Sequence, residues 1–291
     1  MKNIPFLLFC ICLRLIPISA QPETEYQILL KENDVENAYP RLSHDGDKIL
    51  YQSNRTGKWQ LNIMDVVSRT SVVLTPNDFN DNFPDWSADN KWIAFVSDRG
   101  GNEEIYLMNS KGGDLKRITN DPGRDIHPYF SPDGKYILFN STRNGDSFDV
   151  YRYTISNGKT EQITSSADDE TCARYSPDMK HFVYLKNNQS SDDVFVLNTA
   201  DMLTENISKT PVFEHGWPMY SADGKWIYYS SMEGGTYSIY RVRIDGTGKE
   251  QLTHAAAGED DARVNVSADG KLIIYNKKIG KTIMICSMAL R

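Results

Sequence analysis

The stretch HPYFSPDGKYILFNSTRNGDSFDVYRY, His127 to Tyr153, decides the fold, because near-copies of it recur along the chain. Aligned on the serine of the SPDGK-type turn, the copies are anchored at Ser43, Ser87, Ser131, Ser176, Ser221 and Ser267, with spacings of 44, 44, 45, 45 and 46 residues. An aspartate stands two positions after each anchor: Asp45, Asp89, Asp133, Asp178, Asp223 and Asp269. A period in the forties with strand-like content marks an array of β units.

Within the unit, Pro128 to Phe130 reads as a first strand and Ser131-Pro132-Asp133-Gly134 as a tight turn, with glycine where positive φ is tolerated. Lys135 to Asn140 makes the second strand, Asp149 to Thr154 the third and Thr160 to Thr164 the fourth, giving a four-stranded antiparallel meander. Ile49, Ile93, Ile137, Phe182, Ile227 and Ile273 lie six positions past the anchors, and Tyr51, Phe95, Phe139, Tyr184, Tyr229 and Tyr275 two further on. The residues between them are largely apolar too, so these strands need cover on both faces, as blades packed on blades provide. Trp92, Tyr136 and Trp226 share a position and are expected in that inter-blade packing. Gly46, Gly134, Gly224 and Gly270 fill the turn, Asn90 is a tolerated substitute, and Met179 implies either a different turn or local strain.

The last repeat has a third strand near Thr282 to Ser287 and no room for a fourth. Tyr26 to Leu30 matches the fourth-strand pattern, so the N-terminal strand is expected to complete the sixth blade and close the ring. The reading is an all-β chain: one six-bladed β-propeller of four-stranded antiparallel blades over residues 21–291.

The units FPDWSADNKWIAFVSDRGGNEEIYLMN, Phe83 to Asn109, and HPYFSPDGKYILFNSTRNGDSFDVY, His127 to Tyr151, resemble the repeats of the TolB-like six-bladed β-propellers. The resemblance runs through essentially all of residues 21–291 and implies an exported scaffold for protein contacts. It speaks to fold more than to function, since one propeller hosts many activities. Family members that carry an α/β domain before the propeller differ from this chain, in which the first strand is expected almost directly after the leader.

That leader is residues 1–20: Lys2, an apolar run from Ile4 to Leu13, then Ile18-Ser19-Ala20 as a cleavage site for a signal peptide. Neither Cys10 nor Cys12 follows a small residue, so no lipid anchor is expected. A periplasmic or secreted monomer follows, without membrane insertion after cleavage. Loss of Lys2 and Arg14 takes the formal charge from −7 to −9, which argues against nucleic acid and anionic membranes and favours a basic partner. Cys172 and Cys286 sit at unlike repeat positions and are expected as buried free thiols.

Six positions before the anchors stand Asn37, Asp81, Asp125, Glu170, His215 and Asp261, where each chain segment enters its inner strand at the channel mouth. Their carboxylates need hydrogen bonds, arginines, raised pKa values or a cation. Three readings follow: ties to nearby backbone or to a neighbouring arginine, calcium or another hard cation in the channel, or a basic peptide segment. No cofactor is firmly indicated, calcium being the candidate, and the identity of any metal site is open. Arg55, Arg99 and Arg143 share a position from which they can neutralise blades one to three, whereas Asn188, Glu233 and Ile279 stand there in the others. Acid is therefore expected to collect on the face toward blades four to six, at Asp168, Asp169, Glu214 and Asp260 among others, with Phe79 and Phe213 as aromatic anchors in loops of the same class. A solvated rim that merely aids solubility is the plain alternative.

For enzymes, a G-x-S-x-G elbow is absent, and the five histidines occupy unlike repeat positions. The sequence therefore favours a non-enzymatic scaffold that binds an envelope protein or basic peptide through its acidic face. The alternative is a metal-dependent lyase or lactonase-like hydrolase acting on a saccharide or lactone in the channel. No catalytic residue is assigned.

Overall fold

The computed structural model describes residues 26–187, 191–210 and 212–290, so the expected signal peptide and Asn188 lie outside the described residues. The described chain is all strand and turn, arranged as six four-stranded sheets. Blades one to five run consecutively outward from the axis; blade three, for example, is Asp125–Phe130, Tyr136–Ser141, Asp149–Thr154 and Thr160–Gln162. The inner strand thus begins three residues earlier than the proline at 128 suggests.

Blade six is composite. Its inner three strands are Glu259–Val266, Leu272–Ile279 and Thr282–Ala289, and its outer strand is Tyr26–Leu30, paired antiparallel with Thr282–Ala289. The two ends of the described chain therefore share one sheet, and the ring closes by hydrogen bonds. A ring has no first or last blade face to leave wet.

The core is divided in the same way. Six apolar clusters lie one at each blade interface: Leu50, Leu61, Phe95 and Tyr106 between blades one and two, for instance, and Ile49, Tyr51, Ile274 and Ile285 between one and six. The repeated Ile/Phe and Tyr/Phe positions of the second strands are all buried to within 1% exposure. Tyr136 and Trp226 pack beneath arginines, with Arg152 4.9 Å and Arg241 4.6 Å from the ring centres. Trp92 departs from the expected packing: it is 39% exposed and lines a surface cleft with Phe130, Pro132 and Ile155.

All six turns share one bond pattern. The serine hydroxyl donates to the aspartate two residues on, at 2.6 or 2.7 Å, and accepts the N–H five residues on. Each turn carboxylate is held below its ordinary pKa. In Asp45, Asp89, Asp178, Asp223 and Asp269 the serine hydroxyl is the main cause. In Asp133 burial is the largest single influence and opposes the shift; the Ser131 hydroxyl and the Lys135 N–H and ammonium together outweigh it. Met179 makes the same turn as the glycines, with φ 60° and its N–H on the Ser176 carbonyl, so blade four carries strain there and not a different turn.

Two outcomes follow. A left-handed non-glycine residue costs about 1–2 kcal/mol, partly offset by the backbone entropy of glycine, so Met179→Gly should raise the unfolding free energy by about 1 kcal/mol in urea. The folded pKa of Asp223 is depressed, so its contribution to stability is full above the unfolded value near ~3.9 and is lost as pH falls through the folded value. The stability gap between wild type and Asp223→Asn should therefore be open at pH ~5 and close on acidification, as read by denaturation midpoints across pH.

Candidate functional site

The six mouth positions are found at the start of the inner strands, and all are buried: Asn37, Asp81, Asp125, Glu170, His215 and Asp261 are at most 4% exposed. The four carboxylates are each paired with a cation of their own blade. Arg99 Nη2 lies 2.9 Å from Asp81 Oδ1, Arg143 Nη2 2.8 Å from Asp125, Lys186 3.4 Å from Glu170 and Lys277 3.2 Å from Asp261. Asn37 donates to Glu32 at 3.2 Å, and Glu32 also pairs with Arg55 at 3.1 Å. The His215 Nδ1 reaches the Asp192 carbonyl at 2.8 Å and Nε2 the Thr210 hydroxyl at 3.0 Å, which fixes Nδ1 as the donor.

The arginines are themselves seated on aromatic rings: Arg99 lies 5.1 Å from the centre of Tyr106 and Arg143 4.7 Å from that of Tyr151. Burial pushes the Asp125 and Asp261 carboxyls up, against the pull of Ser141 and Arg143 on the first and of Lys277 on the second. These positions are thus tied to neighbouring cations, backbone and polar side chains. Among the described residues, no group of three or more His, Cys, Asp and Glu side chains is arranged to hold a metal ion. Acid in blades four and six is also less exposed than the arginine position implies, because Lys186 and Lys277 supply the missing cations from two residues earlier.

The residues that meet across the axis are the next ones along. In every inner strand the register shifts at a bulge, and the residue two past the mouth position is left-handed: Tyr39, Phe83, His127, Cys172, Trp217 and Arg263 have φ between 50° and 57°. Side-chain amides of the preceding blade satisfy three of the freed N–H groups: Asn276 that of Tyr39, Gln52 that of Phe83 and Asn140 that of Cys172. The bulges aim these side chains inward. Tyr39 stands 4.8 Å from Phe83 and 6.4 Å from both His127 and Trp217, contacts that join blades one, three and five and are possible only at the centre. The Arg263 guanidinium lies 4.8 Å from the Tyr39 ring and 4.6 Å from that of Trp217.

Cys172 Sγ lies 3.7 Å from His127 Nδ1. The pair is not an activated nucleophile. Burial pushes the thiol up to about 11, and burial together with Arg41 and Arg174 lowers the imidazole to about 3, so both are uncharged at neutral pH. Cys286 is likewise buried and free.

On the face opposite the turns, several carboxylates of blades four to six and their loops act on one another. Burial, then Glu214 and Asp169, raises the Asp192 carboxyl despite a hydrogen bond from Asn187. Tyr237 is pushed up to about 12 by burial, then by Glu214, Asp192 and Asp260. These carboxylates are therefore close enough to feel one another. Asp168 pairs with Lys186 at 3.5 Å, Asp169 accepts the Phe148 N–H at 2.7 Å, and Asp260 accepts that of Tyr237 at 3.3 Å. Phe213 is half-buried in this sector; Phe79, 43% exposed over Arg99, belongs to the sector between blades one and two. Sequence reasoning missed the inward ring, whose signal was six unlike residues in one repeat position.

Six four-stranded blades, closed by the first strand and anchored by Ser-Asp turns, define a six-bladed β-propeller. The chain belongs to the TolB beta propeller domain family, whose model matches residues 21–118, 100–211 and 174–291. TolB from Acinetobacter baumannii is similar in structure, with 27% identity and a TM-score of 0.66 over 73% of this chain and 53% of that one. An oligogalacturonate lyase in complex with manganese shares the fold alone, with 13% identity and a TM-score of 0.65 over 91% of this chain and 93% of that one. The uncharacterized protein Atu1656 of Agrobacterium fabrum is 32% identical over 122 residues, 39% of this chain and 41% of that protein. This chain thus spans about half of that TolB chain and two fifths of Atu1656.

The Asp81–Arg99 pair sets the expected consequence of disturbing a mouth position. Removing one partner of a buried pair leaves an uncompensated charge, so Arg99→Met should cost about 3–5 kcal/mol. Adding Asp81→Asn to that variant should recover part of the loss, as measured by chemical denaturation of both variants.

Proposed function

We propose that this chain is an exported, non-catalytic propeller that binds a protein partner, an envelope protein or a basic peptide segment, through its acidic face. The feature that supports the reading is the proximity of Asp192, Glu214 and Asp260 to Tyr237, with Asp169 near Asp192. Carboxylates crowded until burial and mutual repulsion raise one of them gain from a cation brought close. A Lys- or Arg-bearing segment supplies that charge, and Tyr237 and Phe213 supply apolar contact beside it.

The structural likeness to TolB supports export of this chain and a binding role. The metal-dependent alternative, a lyase or hydrolase on a saccharide or lactone, has no assembled ligand group among the described residues. The mouth carboxylates it would draw on are committed to Arg99, Arg143, Lys186 and Lys277. Likeness to the lyase at 13% identity bears on architecture only.

The test uses substitutions that keep local hydrogen bonds. Asp169→Asn and Asp260→Asn retain an acceptor for the N–H groups of Phe148 and Tyr237, and Glu214→Lys reverses one charge. Protein carrying all three is compared with wild type for recovery of partners from envelope extract. Recovery should fall about tenfold, and wild-type recovery should fall similarly as salt rises from ~0.05 to ~0.5 M. Equal recovery by the two proteins would remove the acidic face from consideration.

A further inference from the structure

The opposite mouth, on the face of the Ser-Asp turns, has a different chemistry. Two residues before each anchor serine stand Arg41, Asp85, Tyr129, Arg174, Met219 and Asn265, one per blade, around a cavity of about 340 Å³. That volume lies within the range of small-molecule pockets, about 300–1,000 Å³. Contacts cross the axis here too: Arg41 Nη2 lies 3.4 Å from the Tyr129 hydroxyl, two blades away.

Arg174 is 9% exposed and Arg41 2%, so neither cation is solvated. Arg174 lies over the Tyr129 ring, its guanidinium carbon 3.9 Å from the ring centre, and its Nη1 is 4.0 Å from Met219 Sδ. Its Nε and Nη2 have no hydrogen-bond partner among the described residues, and neither does Arg41 Nε, which stands 3.7 Å from Asp85 Oδ1. Nε and Nη2 form one edge of a guanidinium, the fork that takes the two oxygens of a carboxylate in parallel hydrogen bonds. Contact with Tyr129 satisfies the face of Arg174 and leaves that edge to a ligand.

Charge sets the valence of the ligand. Two arginines against one aspartate leave an excess of one positive charge in a buried site, which a monoanion cancels and a dianion overshoots. Asp85 is engaged with the Phe130 N–H at 2.9 Å and also stands against a more highly charged ligand. We propose that the turn-face mouth of the channel is a binding site for a monocarboxylate, held bidentate by Nε and Nη2 of Arg174 with Arg41 beside it. The carboxylate has two natural sources, a free organic acid or the C-terminus of a short peptide, and the chemistry at Arg174 is common to both.

Calorimetric titration of residues 21–291 separates these sources. The probes are acetate, butyrate and benzoate, a tripeptide with a free C-terminus, its C-terminal amide, and inorganic phosphate. Binding of an organic acid or of the free peptide, with none of the amide, is expected, and which of the two binds identifies the source. Arg174→Lys keeps the charge but not the fork and should weaken binding about tenfold or more. Asp85→Asn keeps an acceptor for Phe130, raises the excess charge to two and should tighten carboxylate binding about tenfold, a gain that misfolding cannot mimic. No heat with any carboxylate at about 10 mM, equal binding of peptide and amide, or undiminished affinity in Arg174→Lys would each overturn the proposal.

Discussion

Everything in this molecule depends on blades that are apolar on both faces. A sheet with buried Ile and Phe or Tyr on one face and residues such as Leu50, Ala94 and Val96 on the other cannot stand alone in water, so it needs a neighbour on either hand. Six such neighbours satisfy one another only if the last meets the first. That is why Tyr26–Leu30 pairs with Thr282–Ala289 and why the cluster of Ile49, Tyr51, Ile274 and Ile285 exists at all. Closure here is local and made of backbone hydrogen bonds, yet it completes a core spread over six separate interfaces.

The two ends of each blade answer to different demands. At one end the Ser-Asp turn repeats without variation in its bonding, because each hairpin needs the same reversal and the serine hydroxyl can serve both the aspartate and the N–H five residues on. At the other end each blade needs only that a buried polar residue at the strand entry be answered. Arginine, lysine, a Glu32 bridge and a Thr210 hydroxyl all meet that need. Repeated chemistry therefore marks folding at the turns, and varied chemistry at the entries is still mostly folding.

The period, the blade count and the closing strand were all legible in the sequence, since each follows from spacing and apolar pattern alone. The cations of blades four and six were not. Their second strands, His181–Asn187 and Leu272–Ile279, are seven and eight residues long where the other blades have six, so the hairpin is extended and the reaching residue falls two places earlier. Nor were the bulges. Tyr39, Phe83 and Trp217 are residues that favour extended strands, and nothing local announces a left-handed conformation for them. Their N–H partners, Asn276 for Tyr39 and Gln52 for Phe83, come from the blade before, a relation that exists only once the ring has closed.

Those bulges also decide how the axis is used. By turning Tyr39, Phe83, His127, Cys172, Trp217 and Arg263 inward, they place a packed layer between the acidic face and the turn-face cavity. The layer contains one fixed cation, Arg263, clasped between two rings, and a histidine kept neutral by burial beside Arg41 and Arg174. Carboxylates that repel one another on one face and guanidinium donors without partners on the other would neutralise each other if the channel let them meet. Keeping them apart costs six strained backbone positions, and strain of that kind persists only where the surrounding structure over-determines it. The propeller thus presents two mouths of opposite chemistry on one ring, built from different residues.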